Sequence, residues 1–365
     1  MTPNEISHLR LANQRIVNPD AATARDVVAR LGAMQAQDYG GMLWSVGLRL
    51  PGSTEVSVEA AVAERSIVRT WMMRGTIHLV AAEDLHWMLD LLGPRVIAST
   101  AKRHEQLELD SGTYAKCEKA AVGALQGGAH LTREELLGAI AGVGVTVDGP
   151  RSYHIPWILA YRGVICFGAR RGKQQAFTLL SEWVADAKPR DREEALAELA
   201  KRYFVSHGPA TLKDFAWWSS LPMADARAAL EYASGGLVKE TVDGKTYWLS
   251  ANTPSAAKEA PLVHLLPGFD EYMLGYQDRS PALPAEHAAK IVPGGNGIFL
   301  PTIVSAGRVV GTWKRTVTKT KVTVTPVPFT KLAATELKAI TKASERYGSY
   351  LSLAAALTPP NTAKS

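Results

Sequence analysis

Apolar positions along this chain recur with two different periods, and the periods take turns. Ala195, Leu196, Leu199, Ala200, Tyr203 and Phe204 share one face of a 3.6-residue turn, which predicts an amphipathic helix. In the stretch "PATLKDFAWWSSL", Thr211 stands three residues before Asp214, a capping-box start for a second helix. Pro222 suits the first turn of a third, "MADARAALEY". The period then falls to two in "GGLVKETVDGKTYWLS", whose halves flank Asp243-Gly244, the strongest short hairpin signal.

Helix, turn, helix, hairpin is the winged-helix order, and the pattern occurs twice more. From about 114 to 180, Thr132 and Glu135 predict a capped helix over "REELLGAIAG". "SYHIPWILAYRG" predicts the next helix, ended by Gly163, and "VICFG" and "QAFTLL" are strands around the basic tip "ARRGK". Nearer the N-terminus, "TARDVVARLGAM" and "SVEAAVAERS" are helical, with Ser57 as N-cap. "IVRTWMM" and "GTIHLVA" are strands meeting near Arg74-Gly75, and "EDLHWMLDLLGP" is a helix stopped by Gly93-Pro94. After about residue 255 the texture changes to strands, a long twisted hairpin and one last helix. The expected class is α+β: winged-helix units over 1–110, 111–188 and 189–255, then a basic, β-rich, barrel-like domain over 256–365, with a frayed C-terminus.

Composition narrows the setting. The 365 residues, 46% hydrophobic and 21% charged, describe a soluble globular chain. The start "MTPNEISHLR" has no apolar leader, no apolar run spans a membrane, and Cys117 and Cys166 form no CxxC. Buried free thiols, a cytoplasmic location and no membrane partner are therefore expected. The net charge is +6, yet nine lysines and arginines lie between Arg308 and Arg346 against Glu336 and Glu345. A local surplus larger than that of the whole chain points to a polyanion, and winged-helix units make duplex DNA the expected partner. The nine histidines form no HxxxH, and no P-loop or dinucleotide fingerprint is present, so neither metal nor nucleotide cofactor is expected.

The stretch "LGAMQAQDYGG" sets two amides, Gln35 and Gln37, where a hydrolase would ordinarily place a carboxylate. On a regular helix residues i and i+2 diverge, so for both to meet one water the chain must leave its helix near Met34 or be extended. Gly40 and Gly41 then read as a helix ending. With "RTWMMRGTIHLV", "LLPGFDEYMLGYQDR" and "GTWKR", this stretch resembles the AlkZ/YcaQ family of bacterial DNA glycosylases, over about residues 8 to 355. The resemblance implies a tandem winged-helix fold that removes alkylated bases. It also implies the Gln-x-Gln branch, which acts on bulky N7-alkylguanine adducts and interstrand crosslinks, in some cases giving a producing strain self-resistance to its own genotoxin. A winged-helix transcription regulator and a non-catalytic damage-binding protein are the alternatives.

The implied catalytic pair is Gln35 and Gln37, acting without a lyase step. Asp38, Tyr39, Asp270 and Glu271 are accessory candidates. Asp38 points away from the amides by alternation and reads as structural; Tyr39 is a core or stacking ring. Asp270 or Glu271 either favours a cationic sugar or forms an internal salt bridge to Arg279. For DNA contact the sequence offers Arg74 at the first hairpin turn, Arg170, Arg171 and Lys173 at a wing tip, and Arg308, Lys314 and Arg315 on one hairpin. Trp71 and His78 read as core. Access along one groove is compatible with a monomer.

Overall fold

Capping residues set where the helices begin. The Asp214 amide donates to the Thr211 hydroxyl at 3.1 Å and the Thr211 amide to the Asp214 carboxylate at 2.9 Å, opening Leu212–Ser219. Thr132 and Glu135 close the same reciprocal pair ahead of Arg133–Ala141. Two expected boundaries move. Ser57 is not the N-cap of Glu55–Ala63; Thr54 is, and Ser57 returns the bond by accepting from the Thr54 amide at 2.9 Å. The helix Leu85–Ser99 runs through Gly93-Pro94 instead of stopping there. Proline forfeits one backbone bond, but Leu91, Leu92 and Val96 are buried around it and hold the helix together. Gly93 also admits a close neighbour: a Cβ there would lie 3.3 Å from the Tyr161 carbonyl oxygen.

The computed structural model describes residues 1–184, 189–253 and 262–359, and the C-terminal "PNTAKS" expected to fray lies outside them. Six strands form the first sheet: β1 (Met34–Gln35), β2 (Ile67–Trp71), β3 (Ile77–Ala81), β4 (Leu131–Thr132), β5 (Ile165–Phe167) and β6 (Ala176–Leu179). Their order is β1-β3-β2-β5-β6-β4. The hairpins of the first two segments are thus joined through β2 and β5, where Arg69 stands opposite Phe167. The third hairpin, β7 (Leu237–Val242) and β8 (Lys245–Ser250), stays separate. Its turn places Asp243 at φ 48° and Gly244 at φ 72°, as a two-residue turn between twisted strands requires.

The C-terminal sheet runs β13-β12-β11-β10-β9, from β9 (Val263–Leu266), β10 (Thr302–Ser305), β11 (Arg308–Val317), β12 (Lys321–Pro328) and β13 (Ala354–Leu357), with the helix Ala334–Tyr350 against it. The class is α+β. Two buried clusters hold the chain together, and each draws on distant sequence. One joins Trp71, Leu92, Ile155, Phe177, Leu199 and Phe215. The other joins Val28, Met34, Ala36 and Trp44 near the N-terminus to Ile303, Val324 and Tyr347 near the C-terminus. Ala33 belongs to the first cluster and Met34 to the second, so the Gln-Ala-Gln stretch lies on the seam between the cores. Cys117 and Cys166 are buried free thiols. No described helix is long and apolar enough to cross a membrane.

Candidate active site

The motif leaves its helix where the sequence requires. The helix Ala24–Leu31 stops at Gly32, φ 79°, and the chain extends into β1. Met34 pairs with Leu79 and Gln35 with His78, and the Ala36 amide donates to the Ile77 carbonyl at 2.8 Å. On this strand Met34 and Ala36 face one core, while Gln35 and Gln37 turn to the other side. β1 is an edge strand, so the Gln35 amide points outward, and it donates to Glu271 Oε1 at 2.9 Å. Arg69 Nε and Nη2 both donate to the Ala36 carbonyl, at 3.0 and 2.9 Å. The Gln35 side-chain oxygen accepts from the Gln37 amide at 3.2 Å. The backbone from 35 to 37 is thereby held on every side. Gln35 itself is 8% exposed and Gln37 is exposed, and among the described residues no hydrogen bond engages the Gln37 carboxamide or the Gln35 NH₂.

The glycines that follow begin a helix instead of ending one: Gly40 and Gly41 lie in Tyr39–Gly47. Two side chains approach them closely. A Cβ on Gly40 would come within 2.6 Å of Arg315 Nη2, and one on Gly41 within 2.6 Å of Asp38 Oδ2. Asp38 occupies the N-cap position without a side-chain capping bond, an exposed carboxylate over a helix start. The Tyr39 hydroxyl donates to Glu59 at 2.8 Å, and its ring lies 4.4 Å from the Arg170 guanidinium carbon.

Asp270 and Glu271 have separate tasks, and neither bonds Arg279. Asp270 is buried and takes both Arg49 nitrogens, Nη1 at 2.8 Å and Nη2 at 2.9 Å, with Ser45 and the Tyr272 amide completing its shell. Arg279 instead donates to the Met273 carbonyl at 2.6 Å, its guanidinium 5.1 Å from the Trp217 ring. Their adjacency in sequence suggested a local pair; Asp270 starts a short helix that faces Arg49 from the N-terminal part. Glu271, 1% exposed, accepts from Gln35, from Trp218 Nε1 at 3.0 Å and from His207 Nε2 at 3.4 Å. Burial alone would raise its pKa, but the His207 hydrogen bond and charge, the Arg74 charge and the Gln35 amide outweigh it and hold Glu271 at about 2. It is an ionised brace under the motif, with no lone pair facing solvent for base work. His78 is wholly buried, donates from Nδ1 to the Thr76 carbonyl at 3.0 Å, and is pushed down to about 3 by burial and by Arg74.

The proposed DNA contacts divide. Arg74 is half-buried at φ 56°, bonded to the Trp218 carbonyl and to His78 Nε2, with burial lowering its pKa. It belongs to the site rather than to an open turn. At the β5–β6 tip, Arg170 pairs with Glu59 at 3.4 Å and Arg171 with Glu135 at 2.5 Å, while Lys173 is exposed. Arg308, Lys314 and Arg315 do not share one tip. Arg308 lies at the β10–β11 turn, where Gly307 packs on Ser7. Lys314 and Arg315 stand toward the other end of β11, exposed and paired with β12, and Arg315 donates to the Tyr347 hydroxyl. Arg308 and Arg315 are seven positions apart along the strand, roughly 23 Å at strand rise. Sequence reading missed Arg49, His207 and the Trp217-Trp218 pair; they carry no spacing signal and reach the site through folding alone.

The four marked blocks converge here. The first is β1, the second gives Arg69, Arg74 and His78, the third gives Glu271, and Arg315 of the fourth lies over Gly40. A family model described as DNA glycosylase AlkZ-like matches residues 28–350. The chain belongs to the AlkZ-like family of DNA glycosylases. This AlkZ-like chain is 29% identical over 345 residues to an interstrand DNA cross-link repair glycosylase of Streptomyces sahachiroi, across 88% of this chain and 90% of that one. The solved structure of the Streptomyces sahachiroi DNA glycosylase AlkZ matches it with a TM-score of 0.79 and 26% identity, over 98% of this chain and 100% of that chain. Membership makes the AlkZ-like chain an enzyme that acts on DNA, which sets aside the transcription-regulator and non-catalytic alternatives.

Proposed function

We propose that the enzyme hydrolyses the N-glycosidic bond of N7-alkylated purines in duplex DNA, bulky adducts and interstrand crosslinks included, and leaves an abasic site. The observation that carries this reading is the carboxamide of Gln37, exposed just past the braced edge strand that holds Gln35 and engaged by no hydrogen bond among the described residues. An N7-alkylguanine already bears a positive charge. When C1′–N9 breaks, the bond pair goes to N9, the base departs neutral, and no general acid is needed. A water then forms the new C1′–O bond and releases its proton to solvent. Amide oxygens accept from that water and amide hydrogens hold a nearby sugar or phosphate oxygen, so Gln35 and Gln37 place the nucleophile. Ionised Glu271, behind Gln35, favours the cationic sugar electrostatically. Arg74, Lys173, Lys314 and Arg315 contact phosphates, the three tandem hairpin-bearing segments act as winged-helix units, and the C-terminal sheet acts as a barrel-like platform. The enzyme works as a monofunctional monomer.

The test is release of the base from a duplex carrying one N7-methylguanine, read as strand breaks after hot alkali. Gln37→Ala should slow breakage about 100-fold, the order that misplacing a reacting group costs, with DNA affinity unchanged. Equal loss of affinity and folding in that variant would make the amides structural and end the reading.

A further inference from the structure

Behind Glu271 the polar contacts continue for two more residues. The helix Arg192–His207 ends on His207, which meets the short helix Glu271–Leu274. His207 Nε2 lies 3.4 Å from Glu271 Oε2, and His207 Nδ1 lies 2.8 Å from Ser206 Oγ. The ring is wholly buried and held on its faces and edges. Tyr203 stacks on it at 4.7 Å with an interplanar angle of 11°, and the Trp218 ring lies 5.4 Å away. Tyr276 donates to the His207 carbonyl at 2.7 Å. Gly275 leaves the space that the imidazole needs: a Cβ there would come within 2.4 Å of His207 Cδ2 and 3.0 Å of Nε2.

Counting hydrogens fixes what the ring does. Ser206 has one hydroxyl hydrogen and two neighbours to give it to, the Arg202 carbonyl at 2.6 Å and His207 Nδ1. If Nδ1 receives it, the ring is neutral and its own hydrogen sits on Nε2, facing Glu271. If the Arg202 carbonyl receives it, Nδ1 donates to Ser206. Nε2 must then carry a hydrogen as well, because a bare lone pair there would oppose an ionised carboxylate, and the ring is imidazolium. Nε2 therefore donates to Glu271 in both charge states, with Ser206 changing from donor to acceptor. Burial pushes His207 below the ordinary imidazole range against the pull of Glu271, and a change in its charge leaves this contact in place.

We propose that His207, with Ser206 behind it, is a positioning residue for base release: it keeps the Glu271 carboxylate aimed at the Gln35 amide. The inference rests on the glycosylase reading and adds a residue to it. Glu271 Oε1 accepts from Gln35, while Oε2 accepts from Trp218 and His207, so one oxygen is anchored and the other holds the motif strand. The titratable and charged groups around Glu271 are His207 and Tyr203 from one helix, Arg74 from the turn between β2 and β3, His78 from β3, and Tyr276. Arg10 and Arg49 add positive charge near His207. Among the described residues, His207 alone of these groups bonds the carboxylate. Without it, burial raises the Glu271 carboxyl against only the Arg74 charge and the Gln35 and Trp218 donors.

The test uses the full chain, a duplex with one N7-methylguanine and single-turnover rates at saturating enzyme, from about pH 5 to about pH 8. The parent rate, above spontaneous release, should stay level, because Glu271 remains ionised throughout. His207→Leu removes the donor, and the carboxyl then titrates upward into this range. Its ionised form is the active one, so the rate should fall about tenfold from the alkaline to the acidic end. His207→Gln keeps an N–H donor and should restore the level profile, with duplex affinity equal to the parent's in both variants. Ser206→Ala should slow release about fivefold, the order of one neutral hydrogen bond. A level profile for His207→Leu, whether uniformly slowed or unchanged, overturns the proposal. Nitrogen-15 histidine spectra of the parent protein add a check that stands even if a variant fails to fold. His207 should carry a hydrogen on Nε2 across the whole range, and a hydrogen on Nδ1 alone overturns the proposal. A parent protein that releases no base at any pH defeats the glycosylase reading instead, and the spectra still decide the contact to Glu271.

Discussion

Single side chains decide which groups near the motif ionise. Glu271 and His78 titrate well below their ordinary ranges, the first through His207 and Arg74 outweighing burial, the second through burial and Arg74. An unfolded His78 takes a proton below about 6.5, whereas the folded ring resists to about 3. The unfolded chain thus binds more protons across that window, and stability falls as pH drops through it. Glu271 adds a second loss between 4.5 and about 2, where the unfolded carboxylate protonates first. Thermal unfolding should show a plateau above about pH 6.5 and a decline below it, partly flattened by His78→Gln; a melting temperature constant down to pH 4 would refute the assignment. Arg69 makes a different contribution. Its fork to the Ala36 carbonyl is geometric, so Arg69→Lys keeps the charge and loses the grip. We expect about a tenfold slower excision with little change in DNA affinity, since small misplacements of reacting groups cost rate steeply.

Elements turn those residues into a surface. The β11–β12 hairpin ends in Thr318-Lys319-Thr320, with Lys319 and Lys321 exposed beside Val317, which is 52% exposed. Its base is anchored: Trp313 donates to the Leu266 carbonyl at 2.8 Å. A rigid base under a basic tip suits backbone contact. Lys319→Ala and Lys321→Ala should each weaken duplex binding uniformly across sequences and lower the salt slope by about 1, leaving the single-turnover rate at saturation intact. An unchanged slope would remove this hairpin from the interface. The hairpin was legible from alternation in "KVTVTPVPF" and the basic surplus. That Arg308 belongs to the opposite end of β11 was not, because a run of letters does not say which of two consecutive turns faces outward.

At the scale of the molecule, the site exists because the two ends of the chain pack together. Arg49 comes from the N-terminal part and Asp270 from the C-terminal part; both are 1% exposed at the side chain and bonded through two nitrogens. Removing one partner strands a buried charge, and Asp270→Ala should cost about 3–5 kcal/mol. Denaturant unfolding checks this, and a midpoint equal to that of the parent protein would contradict it. Glu271 is the next residue, so the same variant should also slow excision by loosening the brace on Gln35.

The letters alone determined much of the local structure. Caps at Thr132 and Thr211, the Asp243-Gly244 turn and the apolar face of 195–204 depend on neighbours a few residues apart, and such interactions survive in any tertiary setting. The same reasoning required the backbone to leave its helix near Met34, since i and i+2 side chains converge only on extended chain. Folding decided what lies across long separations: the junction of two hairpins through Arg69 and Phe167, Arg49 rather than Arg279 as the partner of Asp270, and the meeting of Glu271, His207 and Trp218 behind Gln35. Those pairings are set by which apolar faces bury against one another, a competition over the whole chain that local spacing does not encode.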